Sequence, residues 1–464
     1  MNKFYSSLQL RISIITGLAA FSIYFMISSA TLANPLISNN FDLNAAEMGF
    51  VIQAHLLGAV MFLIPGAKLG DIYGHIRIFS LGAILFAATS FICAISLSGI
   101  EIIFFRLLQG IGDGMMTATA LVLLTRTYNE NQRGKAIGYF LFSGYFGYIA
   151  GLAGGTISAD FFGWQAVFLI PAPFALLAGF LAIKSEKIFV SDNNFQKNHF
   201  DTFGMLLFCP AIFLITAGIS GFLPAFRVLF LFLGAAIFSV FIIVENFSEN
   251  PLFILSLFRQ NRVFSFSICA DLFYYMTIGC IAYTLSIYLE NGLYYSAFAV
   301  GILLIPASVM QGLLSPVAGH LSDKVEPRYI TALGMAIIVA TLLFYANIPK
   351  TGADPALISL MLALTGTGYA LFSSPNKNAV MSSVKKEFQG AASGIANTFE
   401  QMGNIASISI AAMIITMFAG NSQITADKLP QLMDGMRAVF LIMALLGMIN
   451  IIICLKRGNV RKKA

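Results

Sequence analysis

The feature that most constrains this chain is a series of fourteen apolar stretches separated by short polar connections. They run from about 10–33 to about 436–455, and each approaches the ~20 residues that a helix needs to cross a bilayer. The second reads as about 48–66, the tenth as about 296–316 and the twelfth as about 355–375, each ending where the apolar pattern stops. Hydrophobic residues make up 58% of the 464 positions and charged residues only 10%. A soluble domain carries about 25% charged residues, so this chain lacks the polar coat that a water-facing surface requires. The composition excludes a cytosolic enzyme, a secreted disulfide scaffold and a disordered chain. It leaves an all-α membrane protein with fourteen transmembrane helices. The first stretch is full length and shows no cleavage site, so it is expected to remain as span 1.

The net charge of +6 is not gathered into a patch. With both termini in the cytoplasm, 22 of the 27 Lys and Arg fall on that side, among them Lys68, Arg77, Lys377 and Arg457. Arg227, Lys350, Lys428 and Arg437 fall outside, and Arg106 lies within a span. The bias of basic loops to the cytoplasmic side supports this orientation and an even number of spans. The expectation is a multi-pass protein of the inner or plasma membrane, surrounded by lipid, without a nucleic-acid partner, and monomeric.

The chain also repeats itself. PGAKLGD (65–71) and PVAGHLSD (316–323) both end a span on the basic side, with Leu69 and Asp71 matching Leu321 and Asp323. Two related halves fit this pattern. The expected organisation is an N-terminal six-helix bundle (1–183), a cytoplasmic linker with two inserted transmembrane helices (184–250), and a C-terminal six-helix bundle (251–464). Parallel halves of this kind are the plan of transporters, with the substrate site at their interface near mid-membrane. The five cysteines lie in apolar stretches without CxxC or Cys/His spacing. There is no Walker loop, HExxH or nucleophile elbow, so no cofactor, metal or catalytic residue is expected, and an enzyme is not.

With Asp71, Gly74 and Arg77 after the second span, Arg106-Leu-Leu-Gln109-Gly110-Ile-Gly112 in the fourth and Gly147, Gly151, Gly154 and Gly155 in the fifth, the chain resembles the fourteen-span drug:proton antiporters of the major facilitator superfamily. Ala67–Arg77 resembles the family's loop 2–3 motif, with Asp71, Gly74 and Arg77 kept and Ala67 and Ile72 replacing the usual Gly and Arg. Arg106-Leu-Leu-Gln109-Gly110-Ile-Gly112 is similar to the span 4 motif. Gly147, Gly151, Gly154 and Gly155 are similar to the span 5 antiporter motif, with Leu152 in place of Pro. Gly163-Trp164-Gln165 resembles the start of span 6, and Trp164 reads as an interfacial anchor. The acid that the family carries in span 1 is absent, and Met26 stands at the matching position. The resemblance implies a major facilitator fold and proton-coupled export of hydrophobic, cationic small molecules. The alternatives are a specific exporter of a metabolite or anionic compound, or a lipid-handling facilitator.

Charges inside spans cost about 2.5–3.5 kcal/mol each on insertion scales, so they mark candidate sites. Arg106, Asp113, Asp271 and Glu400 are these positions. Arg106 and Asp113 lie two turns apart on one helix face, too far for a direct pair but able to line one cavity. Asp113 is the leading coupling acid, with Arg106 tuning it and Glu400 and Asp271 as substrate or coupling acids. A carboxylate that can hold either a proton or a substrate cation would couple the two. His55 is a weaker relay candidate. Asp71, with Gly74 and Arg77, and its counterpart Asp323 form the candidate gating loops, each able to meet a neighbouring helix N-terminus. The glycines of span 5 offer a seam for close helix packing. Tyr24, Phe25, Tyr145, Tyr148, Tyr274, Tyr275 and Phe399 are the candidate aromatic lining of a substrate cavity.

Overall fold

The computed structural model describes residues 2–43, 45–190, 201–220, 224–248, 255–289, 293–348, 354–385, 388–419 and 429–460. Residues 191–200, in the polar stretch that opens the segment expected at 184–250, lie outside the described residues. Fourteen helices among those described are long and apolar enough to cross a bilayer.

The first half contains α1 (Asn2–Phe41), α2 (Ala45–Tyr73), α3 (His75–Ala94), α4 (Gly99–Thr127), α5 (Glu130–Phe162), α6 (Ala166–Leu169) and α7 (Ala172–Val190). The short α6 and α7 together form the sixth span. An inserted pair follows, α8 (Thr202–Ser220) and α9 (Arg227–Phe247). The second half contains α10 (Leu255–Gln260), α11 (Arg262–Ile278), α12 (Cys280–Ile287), α13 (Ala297–Ser322), α14 (Pro327–Ala346), α15 (Pro355–Ser383), α16 (Gln389–Ala419) and α17 (Leu429–Lys456). One span, interrupted near Gly279, is shared by α11 and α12.

Local sequence sets several helix ends. Ser98 accepts from the Glu101 amide at 3.3 Å, and the Glu101 carboxylate accepts from Leu97 N at 2.8 Å, a reciprocal cap on α4. Asn261 caps α11 and Ser296 caps α13 by accepting from the amides of Phe264 and Ala299, without the return bond. Asp354 caps α15, whose first residue is Pro355, where the missing amide has no helical partner to lose. Between α2 and α3 the turn passes through Gly74 at φ 102°, a conformation that a side chain resists.

Three helices run past the apolar stretch that marks them in the sequence. On the basic side, α2 continues to Tyr73, α13 to Ser322 and α15 to Ser383. Lys68 and Lys377, expected in connections, are therefore helical. Trp164, expected as an interfacial anchor, is buried against Phe41 and Phe168.

Each half has its own apolar core. Phe79, Phe86, Val167 and Phe168 mark the first, and Met335, Ile338, Phe440 and Met443 the second. The inserted pair packs Phe208, Ile212 and Phe241 against Val60 and Ile64 of α2 and against Phe264, Ile268 and Ile395 of the second half. It therefore touches both halves.

Small residues let helices approach closely. A Cβ on Gly147 would lie 2.7 Å from Phe21 Cα, on Gly151 3.0 Å from Phe25 Cα, and on Gly155 2.9 Å from Ser29 Cα. These three glycines seat α5 against α1. Gly154 faces elsewhere, with only the Phe25 ring near, at 3.9 Å. A second seam joins the halves: a Cβ on Gly138 of α5 would lie 2.5 Å from Pro316 Cα of α13. Replacing Gly151 by Leu is expected to force α1 away from α5 and destabilise the protein by about 1–3 kcal/mol, the usual cost of overpacking. Gly301→Ala, where an added Cβ meets nothing within 4 Å, should not lower the thermal midpoint, since Ala favours the helix more than Gly. Thermal unfolding of the purified variants in detergent compares the two.

Candidate functional site

In the first half, polar groups gather where α2, α3 and α4 meet. The glycines of α4 make this possible: Gly110 lies against the backbone of His55 and Ala59, and Gly112 against Gly82 and Phe86. Arg106 is fully enclosed. It donates to Val51 O at 3.1 Å and to Gln109 Oε1 at 2.7 Å, and lies over the Phe168 ring at 5.8 Å. Gln109 in turn donates to Ser90 Oγ at 2.6 Å. No carboxylate pairs with Arg106 among the described residues.

Asp113 has different partners. His55 Nε2 lies 3.1 Å from its Oδ2, and Thr117 donates to its Oδ1 at 2.7 Å. His55 is 0% exposed and Asp113 3%. Arg106 and Asp113 thus share a helix face without bonding each other; Gln109, bonded to Arg106, also acts on His55, the partner of Asp113. His55, a minor candidate in the sequence, is the direct partner of the acid.

Between the halves lies a second polar centre. Lys377 of α15 pairs with Glu400 of α16 at 3.0 Å, with both side chains almost wholly enclosed. Glu400 is close enough for its field to act on Tyr24 and Tyr145 of the first half and on Tyr274 and Tyr275 of the second. Tyr145 accepts a hydrogen bond from Gln311 of α13, which ties the halves together. Tyr24 and Tyr145 meet edge to face at 5.9 Å. Tyr274 stacks on Phe372 at 4.1 Å and 12°, with Tyr275 and Tyr369 against its edges.

Asp271 belongs to the same centre. It is 1% exposed, and neither carboxylate oxygen makes a well-formed hydrogen bond among the described residues. Glu400, Lys377 and Arg457 act on it through space. Arg457 is fully buried and donates to Asn376 Oδ1 at 2.6 Å and to Ser267 Oγ at 3.3 Å. The centre therefore holds two cations and two carboxylates. Lys377 and Arg457, counted among basic loop residues in the sequence, are its cationic half. The reason is geometric: α15 stays helical beyond Pro375, which carries Lys377 down the inner face.

At the basic end the repeated aspartates occupy equivalent places. Asp71 lies against Gly390, at the N-terminus of α16, where a Cβ would come within 2.6 Å of its Oδ2. Asp323 lies against Gly134, near the N-terminus of α5, where a Cβ would come within 2.7 Å of its Oδ1. Each carboxylate crosses from one half to a helix N-terminus of the other, where the helix dipole favours negative charge. His75 Nε2 lies 3.0 Å from Asp71 Oδ1, and Arg126 reaches the same oxygen at 3.5 Å. Asn378 donates to Asp323 Oδ1 at 3.1 Å. Arg77, expected in this loop, pairs instead with Glu186 of α7.

The remaining aromatic candidates divide. Tyr24, Tyr145, Tyr274 and Tyr275 converge on the ion pair. Tyr148 acts only at the cluster's edge, on Tyr369. Phe25 is buried in the α1–α5 seam beside Phe21, and Phe399 packs on Phe258 toward the inserted helices. Met26, in place of the family's acid, lies in the apolar core of the first half. Gln311 and Lys377 were missed; the signal for Lys377 was its nearness to Pro375 within one long helix.

Two pseudo-equivalent helical halves around a shared enclosed polar centre are the fold of a membrane transporter. The chain belongs to the Major Facilitator Superfamily, whose family model matches residues 16–408 and again 267–464. It is similar to the riboflavin transporter RibZ of Clostridioides difficile, 28% identical over 373 residues and 78% of each chain. It is also similar to the multidrug resistance protein Stp of Mycobacterium tuberculosis, 27% identical over 88% of this chain and 76% of that protein. The solved structure of the proton:xylose symporter XylE shares the fold, with a TM-score of 0.64, 16% identity and 95% of each chain covered.

Breaking a buried ion pair from one side leaves an uncompensated charge and costs about 3–5 kcal/mol. Lys377→Met is expected to show that loss in thermal unfolding. Adding Glu400→Gln should recover most of it; a double variant as unstable as the single one would assign the loss to packing.

Proposed function

We propose that the chain is a proton-coupled exporter of hydrophobic small molecules that works by alternating access. The observation that carries this reading is the Asp113–His55 pair, a carboxylate and an imidazole bonded to each other inside a membrane-spanning bundle. Such a pair can gain or lose one proton while each group keeps a partner. Tyr24 lies within the fields of both Asp113 and Glu400, which links the proton centre to the interface between the halves. Arg106, held by the Val51 carbonyl and Gln109, is a fixed positive charge that tunes Asp113 through space.

The basic end is the cytoplasmic end under the positive-inside bias, with both termini there. The Asp71 and Asp323 contacts close it, and the α5–α13 seam runs from Gly134 to Tyr145. Farther toward the opposite end, Gly301 of α13 meets nothing within 4 Å. These contacts support an outward-facing state, closed to the cytoplasm. The relation to Stp, named for multidrug resistance, supports hydrophobic compounds as cargo. The stacked Tyr274–Phe372 pair favours flat aromatic ones. A narrower reading, export of one planar metabolite, draws on the same stack and on RibZ, named as a riboflavin transporter. The cationic preference expected from Glu400 loses its footing, because Lys377 already neutralises that carboxylate.

Proteoliposomes with an acidic interior test the proposal. Hydrophobic aromatic compounds should trigger proton release from the wild-type protein, followed by an internal fluorescent pH probe. Asp113→Asn should insert and fold but release none. Undiminished release by that variant would remove Asp113 from the coupling step.

A further inference from the structure

The charge arrangement at the centre selects among substrates. Lys377 and Glu400 form a neutral pair at 3.0 Å, and Arg457 has the carboxyl groups of Asp271 and Glu326 within reach of its field. A monocationic substrate would leave this enclosed centre with an uncompensated positive charge, and a monoanionic one with a negative charge. Either surplus is unfavourable away from water. A substrate with one group of each sign leaves the sum at zero. It can open the Lys377–Glu400 pair and form two ion pairs in place of one. The aromatic wall around the pair adds a surface for a flat ring. The buried Tyr274 hydroxyl, without a hydrogen-bond partner among the described residues, leaves a donor for a ligand to use.

We infer that this centre binds zwitterionic aromatic compounds, with the acidic group of the substrate at Lys377 and its basic group at Glu400. The inference deepens the exporter reading by naming its substrate class, and rests on it for the direction of transport. Binding itself requires no gradient and no Asp113 chemistry.

The test uses purified full-length protein in detergent and equilibrium dialysis, with binding to empty micelles subtracted. The probes are rhodamine B, a zwitterion with a free carboxyl group, and its ethyl ester, the corresponding cation. Wild-type protein should bind rhodamine B about tenfold more tightly than the ester, the size of one charge-assisted hydrogen bond. Lys377→Met should reverse the order, Lys377→Arg should keep it, and Lys377→Met with Glu400→Gln should abolish it. Equal binding of the two dyes by the wild-type protein, or tighter binding of the ester, overturns the inference even if Lys377→Met does not fold. A protein that prefers rhodamine B but releases no protons in liposomes retains this inference and loses the proton-coupled reading.

Discussion

Charge enclosed in a membrane bundle needs polar or oppositely charged neighbours in place of water, and the organisation of this protein follows from that constraint. Arg106 is held by a carbonyl, an amide side chain and an aromatic face. Asp113 is bonded to His55 and Thr117, and Glu400 to Lys377. Each solution requires helices from different places in the chain to approach closely. Gly110 and Gly112 admit α4 to α2 and α3, so the first network depends on residues without side chains. The second depends on α15 remaining helical through Pro375 to bring Lys377 opposite Glu400.

The same electrostatics joins the halves. Asp71 and Asp323 each end a helix of one half and face a helix N-terminus of the other. These contacts lie near the basic surface, where water can replace the helix dipole as a partner. They can therefore break without stranding a charge, unlike the central pairs. On the exporter reading, the basic end is the part that can separate. The inserted pair, packed on α2, α11 and α16, lies to one side of this movement.

Much of this was legible in the sequence. Fourteen apolar stretches gave fourteen spans, because each must satisfy its backbone within one helix. The repeated aspartates could be matched because both follow the same local turn pattern. The partners were not legible. Lys377 looked like a loop cation because hydropathy falls where a helix faces a polar interior, just as it does where a helix ends; Arg457 does lie past the end of α17, but its side chain is fully buried. His55 looked like a lone histidine because its acid lies 58 residues away. Phe399 and Phe25 lie on spans near the centre, but helix rotation turns them toward the inserted pair and the α1–α5 seam. Rotation about a helix axis is set by packing, and an apolar stretch records it weakly.

The central claim is that the two aspartate contacts hold the halves together at the basic end while the opposite end stays apart. Pulsed electron paramagnetic resonance can measure this directly. Spin labels replace the exposed Tyr73 and Val325 at the basic end, or Leu97 and Tyr294 at the opposite end. Adding Asp71→Asn and Asp323→Asn together should lengthen the first distance and shorten the second. Distances that stay fixed, or that change in the same direction, would contradict the account.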